Sequence, residues 1–396
     1  MIEISNLTVQ FGGTRVLDAL DAKLAAPICG LIGPNGAGKT TLLNVLSGFL
    51  RPRAGSVALD GRALLALSVA ERVRAGVRRT FQTVALVVPA VADAYWIKTL
   101  TSALTISIAA AGVALLYRQL GLVCLSQHAL LGVGGWIALR LAHLGAPFEL
   151  CVLAGAAGGS AIGMIAGLPA LRLRGLYLAL VTLMMAGGFQ VVVSAIGFPD
   201  GGGGFTGHLS FGARQMMARP LVGQSDAAYF RYVAAWAALA FALIELHRRS
   251  KAGRSWALIR RGEMPALAAG VNVVLYQTWA FGLAGLLAGL SGGLLAGSVG
   301  QLDGRAFAAS ESVLLFALSV VGGVYHWFGA LITGLLLRAV PALLTDFGVN
   351  GYLAMIFFGA ALLHALVTAP AGIAGQLAGL ASRVGRAFRA RDGGAR

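Results

Sequence analysis

Residues 275–299 read LYQTWAFGLAGLLAGLSGGLLAGSV and contain no Asp, Glu, Lys or Arg. A helix needs about 20 apolar residues to cross a hydrocarbon core, so this stretch is long enough to span a bilayer. Its spaced Gly, Ala and Ser let neighbouring helix backbones approach closely, as packed membrane helices require. Similar runs occupy residues 96–117, 121–143, 149–169, 175–197 and 228–246, with a Gly-broken pair across 311–345 and a last run at 351–369. That makes about 8–9 hydrophobic segments, re-entrant pieces included. The composition agrees, since the 396 residues are 58% hydrophobic and only 12% charged. Within such segments the 56 glycines read as helix-packing residues rather than as a sign of disorder.

The net charge of +16 does not point to nucleic acid, because the cations cluster in a few loops and lack interleaved aromatics. Between two apolar runs, residues 247–274 hold Arg248, Arg249, Lys251, Arg254, Arg260 and Arg261 against the single acid Glu263. The C-terminal tail carries Arg383, Arg386, Arg389, Arg391 and Arg396. Both belong on the cytoplasmic face, and four pieces between them return the chain to that face. The front half does not close in this way. Arg172 and Arg174 also belong inside, yet three pieces separate them from a cytosolic N-terminus, so either one piece is re-entrant or a span is missing. Cys29, Cys124 and Cys151 suggest neither a disulfide framework nor a metal site.

Residues 1–83 have a different character and hold ten of the 31 Lys and Arg. There Ile28-Cys29-Gly30-Leu31-Ile32 reads as a short strand, Gly33-Pro34-Asn35-Gly36-Ala37-Gly38-Lys39-Thr40-Thr41 as a loop, and Leu42 to Leu46 as a helix. This is G-x-x-x-x-G-K-[ST] in strand–loop–helix context. Its glycines let successive N–H groups wrap an anion at a helix N-terminus; Lys39 reaches the outer phosphates and Thr40 ligates Mg²⁺ through the nucleotide. The predicted fold class is therefore an α-helical polytopic membrane protein preceded by a truncated α/β P-loop NTPase fragment.

The N-terminal segment resembles the start of an ABC transporter ATPase of the branched-chain amino-acid importer (LivG-like) type. The match runs through Leu7 to Gly13, Gly33 to Thr41, Gly48, Pro52, Gly55-Ser56-Val57, Asp60-Gly61 and Arg79-Thr80-Phe81-Gln82. The resemblance implies an ATP site of Phe11, Gly33, Asn35, Gly36, Gly38, Lys39, Thr40, Thr41 and Gln82, with Phe11 stacking on adenine and Gln82 at the Q-loop position. On the residues alone Phe11 fits a core equally well. What should follow in such an ATPase is absent: no two acidic residues are adjacent anywhere in the chain, so no Asp-Glu pair holds Mg²⁺ and orients water. Leu290-Ser291-Gly292-Gly293 spells most of a nucleotide signature, but Leu294 replaces its glutamine and the apolar setting favours helix packing. Independent ATPase activity is not expected, and catalytic residues are not assigned.

Residues 96–380 resemble the LivM-like permease subunit of branched-chain amino-acid ABC importers. The resemblance is carried by Leu122 to Ala129 with Gly132 to Trp136, by Leu171 to Leu183, and by Gly253 to Glu263 with Ala269 to Asn272. The chain then divides into a truncated ATPase fragment with Walker A and Q-loop (1–83), a seam (84–95), a permease (96–380) and a basic cytoplasmic tail (381–396). The basic stretch with Arg254, Arg260, Arg261 and Glu263 reads as the coupling segment, or on composition alone as an ordinary positive-inside loop. Broken segments mark candidate translocation residues, here Ser126, Gln127, His128 and Ser319, although His128 alone reads equally as a packing histidine. The family usually has one more span ahead of 96–117, where the ATPase fragment sits here, which accounts for the topology mismatch. The resemblance implies a multi-pass protein of the bacterial inner membrane that moves branched-chain or other amino acids. Its expected partners are complete ABC ATPase subunits, a second permease subunit, a periplasmic substrate-binding protein, the small-molecule substrate and the lipid bilayer, with no nucleic acid; ATP and Mg are its only cofactors. Two alternatives stay open on the sequence: an ATP-hydrolysing fusion completed by a partner, and a nonfunctional truncated fusion.

Overall fold

The computed structural model describes residues 2–11, 14–24, 38–48, 50–67, 71–72, 93–173, 175–209, 215–326, 328–348, 356, 359–360, 363 and 372–377. The chain divides into two units, Met1–Thr83 and Val84–Arg396.

In the first unit β1 (Ile2–Phe11) pairs antiparallel with β2 (Thr14–Leu24) on one side and β3 (Ala54–Leu59) on the other, and β4 (Arg62–Ala63) closes the order β2-β1-β3-β4. Strand β1 buries Ile4, Leu7 and Val9, which strict alternation would put on different faces. A register irregularity between Ile4 and Leu7, with Asn6 at φ 49°, shifts the phase and returns all three to one face. Asp60 and Gly61, both at positive φ, supply the two-residue turn between β3 and β4. Helix α1 (Lys39–Leu46) lays Leu42, Val45 and Leu46 against this sheet. The P-loop strand predicted at 28–32 lies outside the described residues.

The second unit is helical: α2 (Ala94–Leu120), α3 (Gln127–His143), α4 (Phe148–Gly167), α5 (Leu176–Ile196), α6 (Asp226–Arg249), α7 (Lys251–Arg261), α8 (Glu263–Ala268), α9 (Val273–Val299), α10 (Ala309–Gly322), α11 (Gly329–Gly334) and α12 (Val340–Asp346). Helix α9, which carries the opening stretch, is the centre, its most apolar window being 94% buried. Against it α4 runs antiparallel through small residues: a methyl on Gly163 would lie 2.7 Å from Phe281 O, and one on Gly159 2.5 Å from Gly285 O. Helix α2 packs on another face of α9, with Ser291 Oγ donating to Thr105 O at 2.8 Å. The LSGG run is thus wholly inside the bundle, Gly292 lying against Leu131 O of α3, as the packing reading required.

Among the described residues six helices are long and apolar enough to cross a membrane. The expectation of 8–9 differs for physical reasons. The run 121–143 is not one helix: Gly121, at φ 71°, ends α2, residues 121–126 are irregular, and only Gln127–His143 is helical. The run 311–345 breaks at Gly323, leaving α10 short; beyond it α11, a π-helical turn, Leu335–Ala339, and α12 continue as one span, Gly329–Asp346, the sixth of those helices. Pro341 explains that turn, since it cannot donate to the carbonyl four residues back and widening the helix absorbs the defect. Most of 351–369, residues 84–92 of the seam, and the tail beyond residue 377 lie outside the described residues.

Arg118, Arg248, Arg254, Arg260 and Arg261 meet at one end of the bundle. Arg172 belongs to that end as well, because the turn Leu168–Leu171 before it packs Ala170 into the cluster that holds Trp256 of α7. Helix α2 begins at the opposite end, where Lys98 pairs with Asp226 at the start of α6 at 3.7 Å. Residues 198–209 and 215–225 lie at that far end: Leu209 N donates to the buried Asp200 Oδ1 at 2.6 Å, and Met217 N to Gly300 O at 2.8 Å. The positive-inside rule predicts that the basic end faces the cytoplasm and Asp93 the outer side.

Two outcomes are expected. Gly285→Leu should cost about 3 kcal/mol or more by overpacking the seam, read as a lost melting transition in detergent, whereas Gly187→Ala, whose Cβ meets nothing within 4 Å, should melt like the parent. Equal melting of the two would refute the seam. A cysteine at Asp93 should react with an impermeant maleimide in intact cells and one at Arg261 only after permeabilisation; the reverse pattern would invert the topology.

Candidate translocation and coupling sites

Three of the four translocation candidates sit where the chain re-enters helix at α3. Leu125 N donates to Thr182 Oγ1 of α5 at 2.9 Å, and Cys124 Sγ lies 3.2 Å from Ser126 Oγ, which fixes the approach. Gln127 and His128, 1% and 4% exposed, open α3. Neither Gln127 Nε2, Gln127 Oε1 nor His128 Nδ1 has a hydrogen-bond partner among the described residues. Leaving a buried donor or acceptor unpaired costs about 1–3 kcal/mol, which makes these groups unusual in a packed interior. The His128 ring stands 5.2 Å from that of Phe307. An amide with both donor and acceptor free, beside an imidazole at the positive end of a 17-residue helix, is a polar station suited to a small zwitterion or to water.

Ser319 is different. Its hydroxyl donates to Leu315 O at 2.7 Å within α10 and is internally satisfied. Sequence reasoning passed over Ser312, whose buried Oγ has no partner among the described residues. It also passed over Arg338, on the π-helical turn, which interacts electrostatically with Glu311 and His128. The signal was present: Glu311 and Arg338 are ionisable residues inside an apolar run, and such residues are costly unless paired or functional.

The coupling candidates lie on α7 and α8. Ser250 caps α7, accepting from Ala252 N at 3.2 Å. One face of α7 buries Ala252, Ser255, Trp256 and Ile259, and Trp256 Nε1 donates to Tyr276 O of α9 at 2.7 Å. The other face presents Arg254, Arg260 and Arg261, Arg260 donating to the Arg118 carbonyl at the end of α2. Glu263 begins α8 and accepts from Gln277 Nε2 at 3.4 Å. Beyond it Met264 and Leu267, 77% and 54% exposed, form an apolar knob on this end.

In the first unit Gly38, at φ 78°, precedes α1, and Lys39 and Thr40 form its first residues. No acidic residue stands in that first turn, so the positive end of the helix is compatible with an anion. Thr41 is half-buried, and Phe11 ends β1 opposite Thr14. The side chains of Phe11, Lys39 and Thr40, and the whole of Gly33, Asn35, Gly36 and Gln82, lie outside the described residues. At the other end of α1 the buried Arg72 donates to Val45 O at 2.7 Å and Leu46 O at 3.2 Å, and to Leu65 O and Leu67 O. It satisfies carbonyls that a helix C-terminus leaves unpaired. Burial, with Arg51 second, pulls the Arg72 guanidinium below its ordinary pKa.

A glycine-packed bundle with an interrupted helix, unpaired buried polar groups at the break and a basic amphipathic helix at one end is the architecture of a membrane transport subunit. The family model for the branched-chain amino acid transport system permease component matches residues 95–366, and the chain belongs to that family. The ABC transporter model matches residues 23–119. Among curated relatives, the high-affinity branched-chain amino acid transport system permease protein LivM of Salmonella typhimurium is 28% identical over 302 residues, covering 67% of this chain and 69% of its own. LivM of Escherichia coli is 28% identical over 277 residues, 64% of each. The ATP-binding protein BraF of Pseudomonas aeruginosa is 42% identical over 87 residues, 22% of this chain, so the chain spans about a third of that relative's length. No solved structure matches. The chain is thus a multi-pass permease-family protein behind an N-terminal ABC ATPase fragment.

Arg72→Ala should remove the cap from α1 and cost about 2 kcal/mol locally. Hydrogen exchange on the full chain checks this: faster exchange at residues 42–47 is expected, and unchanged protection would refute the cap.

Proposed function

We propose that this chain is a permease subunit of an ABC importer in the bacterial inner membrane, passing branched-chain or related amino acids and driven by complete ATPase subunits on other chains. The match over residues 95–366 carries the reading. It is supported by the unpaired Gln127 and His128 at the start of α3, where a zwitterionic solute finds a donor and an acceptor away from water. Ser126 positions that start, and Ser319 contributes to the wall of the pathway. Eight or nine segments cross or enter the membrane, α3 and α10 among them beside the six long helices. A second permease subunit and a periplasmic binding protein complete the importer.

In this reading α7 and α8 couple the permease to the ATPase, with Met264 and Leu267 as the apolar contact and Arg254, Arg260, Arg261 and Glu263 setting its charge. ATP and Mg²⁺ contact is confined to the residues around Lys39 and Thr40 and supplies no hydrolysis. The ATP-hydrolysing alternative is disfavoured by the sequence, in which no two acidic residues are adjacent to hold Mg²⁺ and orient water.

Leucine uptake in a permease-deficient strain with intact ATPases tests the reading. The chain should restore uptake, Lys39→Ala should leave the rate unchanged, and Gln127→Ala should lower it about tenfold, the scale of one lost buried hydrogen bond. No rescue by a chain shown to be inserted would refute the proposal. Loss of uptake in Lys39→Ala would revive the hydrolysing alternative.

A further inference from the structure

The arginines at the cytoplasmic end outnumber the acids available to them. Arg118, Arg248, Arg254, Arg260 and Arg261 line an open cleft of about 660 Å³ between α2, α6 and α7, floored in part by Tyr325. The carboxylate within electrostatic reach of Arg118, Glu245, is already bonded to Arg248 at 2.7 Å and to Arg249. The Arg118 side chain has no hydrogen-bond or salt-bridge partner among the described residues, and the same holds for Arg261. Arg260 is held over the Tyr325 ring at 5.9 Å. Several guanidiniums that face one cavity repel one another, and an anion accepting from two or more of them relieves that repulsion.

A second cavity, of about 550 Å³, adjoins the first and shares Arg118, Gln119, Arg248 and Tyr325 with it. It lies between α2 and α6, lined mainly by Ala111, Ala114, Leu115, Phe241, Ala242 and Ile244, all within the candidate spans, and also by Glu245, Arg249 and His326. A basic cleft at the last turn of two spans, opening into an apolar groove that runs back along them, has the polarity profile of a phospholipid: phosphate at the helix ends, acyl chain between the helices. Basic pockets between spans on the cytoplasmic side take anionic headgroups for this reason. A free phosphate would use the cleft and leave the groove without a role, and an acidic protein side chain would do the same.

We propose that the cleft formed by Arg118, Arg254, Arg260 and Arg261 binds the phosphate of an anionic phospholipid of the cytoplasmic leaflet, one acyl chain lying in the groove beside Ala114 and Ala242. The lipid ties the ends of α2 and α6 to α7, so it pins the amphipathic helix at the membrane surface. The site does not depend on which solute is carried.

Native mass spectrometry of the purified full chain, mixed with phosphatidylglycerol or phosphatidylcholine, tests the assignment. Phosphatidylglycerol should be retained about tenfold more than phosphatidylcholine, and Arg118→Gln with Arg261→Gln should abolish that preference. Ala242→Trp, which fills the groove, should lower phosphatidylglycerol retention with the arginines intact, whereas Arg305→Gln at the opposite end should not. Inorganic phosphate at about 10 mM should displace little lipid, since it cannot use the groove. The proposal is overturned if both lipids are retained equally, if the folded double arginine variant keeps its preference, or if phosphate displaces the lipid and Ala242→Trp has no effect. Should the double variant misfold, Ala242→Trp and Arg118→Lys decide: retention lost in the first and kept in part by the second supports the site, and any other pair of results overturns it. Lipid retention is read without transport, so it can fail while the permease reading stands.

Discussion

The bundle rests on the close approach of α4 and α9. Along their antiparallel seam Gly155, Gly159 and Gly163 of one face Phe281, Gly285 and Gly289 of the other, backbone against backbone. In a bilayer, burying apolar side chains gains nothing relative to lipid, so helix association depends on dispersion contacts between surfaces that can come close. A spacing of four residues keeps these positions on one helical face over two turns. With α4 locked on one side, α9 still has faces for α2 and α3, and Gly112, Gly134 and Gly292 let those helices approach as closely. One helix thus sets the positions of three others.

That density makes the exceptions informative. Thr101, Thr105, Ser107, Thr182, Ser319 and Thr333 are all buried, and each returns its hydroxyl to a carbonyl three or four residues back in its own helix. Such back-bonding satisfies the hydroxyl's donor in a medium without water and leaves no donor for a ligand. Gln127 and His128 cannot use it, because they stand at the start of α3, where the preceding backbone is not helical. At this helix break two consecutive side chains stay unpaired together, whereas Tyr232, Thr278 and Ser312 are single unpaired hydroxyls within helices, among the described residues.

The same contrast explains what could be read in the sequence. Membrane character, the packing role of Leu290 to Gly293 and a basic stretch between two spans follow from local composition, and composition survives folding. The division of 121–143 into an irregular entry and a short helix was not legible, since its apolarity is continuous and only Gly121 marks the stop. Nor was Ser319 separable from Ser312: both are serines in an apolar run, and only the fold shows which hydroxyl finds a carbonyl. In the first unit the hidden feature was Arg72, a long-range cap reaching carbonyls 26 and 27 residues earlier. No local pattern encodes that reach.

The course of α2 fixes how the first permease helices alternate. Gly112 packs on Ala284 O while Ser291 reaches Thr105, so α2 is antiparallel to α9, and α9 leaves the basic end beside Trp256. Reversing α2 would break both contacts and strand Arg118 away from the other arginines. A membrane orientation with the basic end in the cytosol therefore starts α2 outside, and the three pieces from Ala94 to Arg172 then alternate without a re-entrant step. The order of α2, α3 and α4 is therefore self-consistent on their contacts with α9 alone, since each lies against it through small residues or a hydroxyl that only one direction of the helix can bring into place.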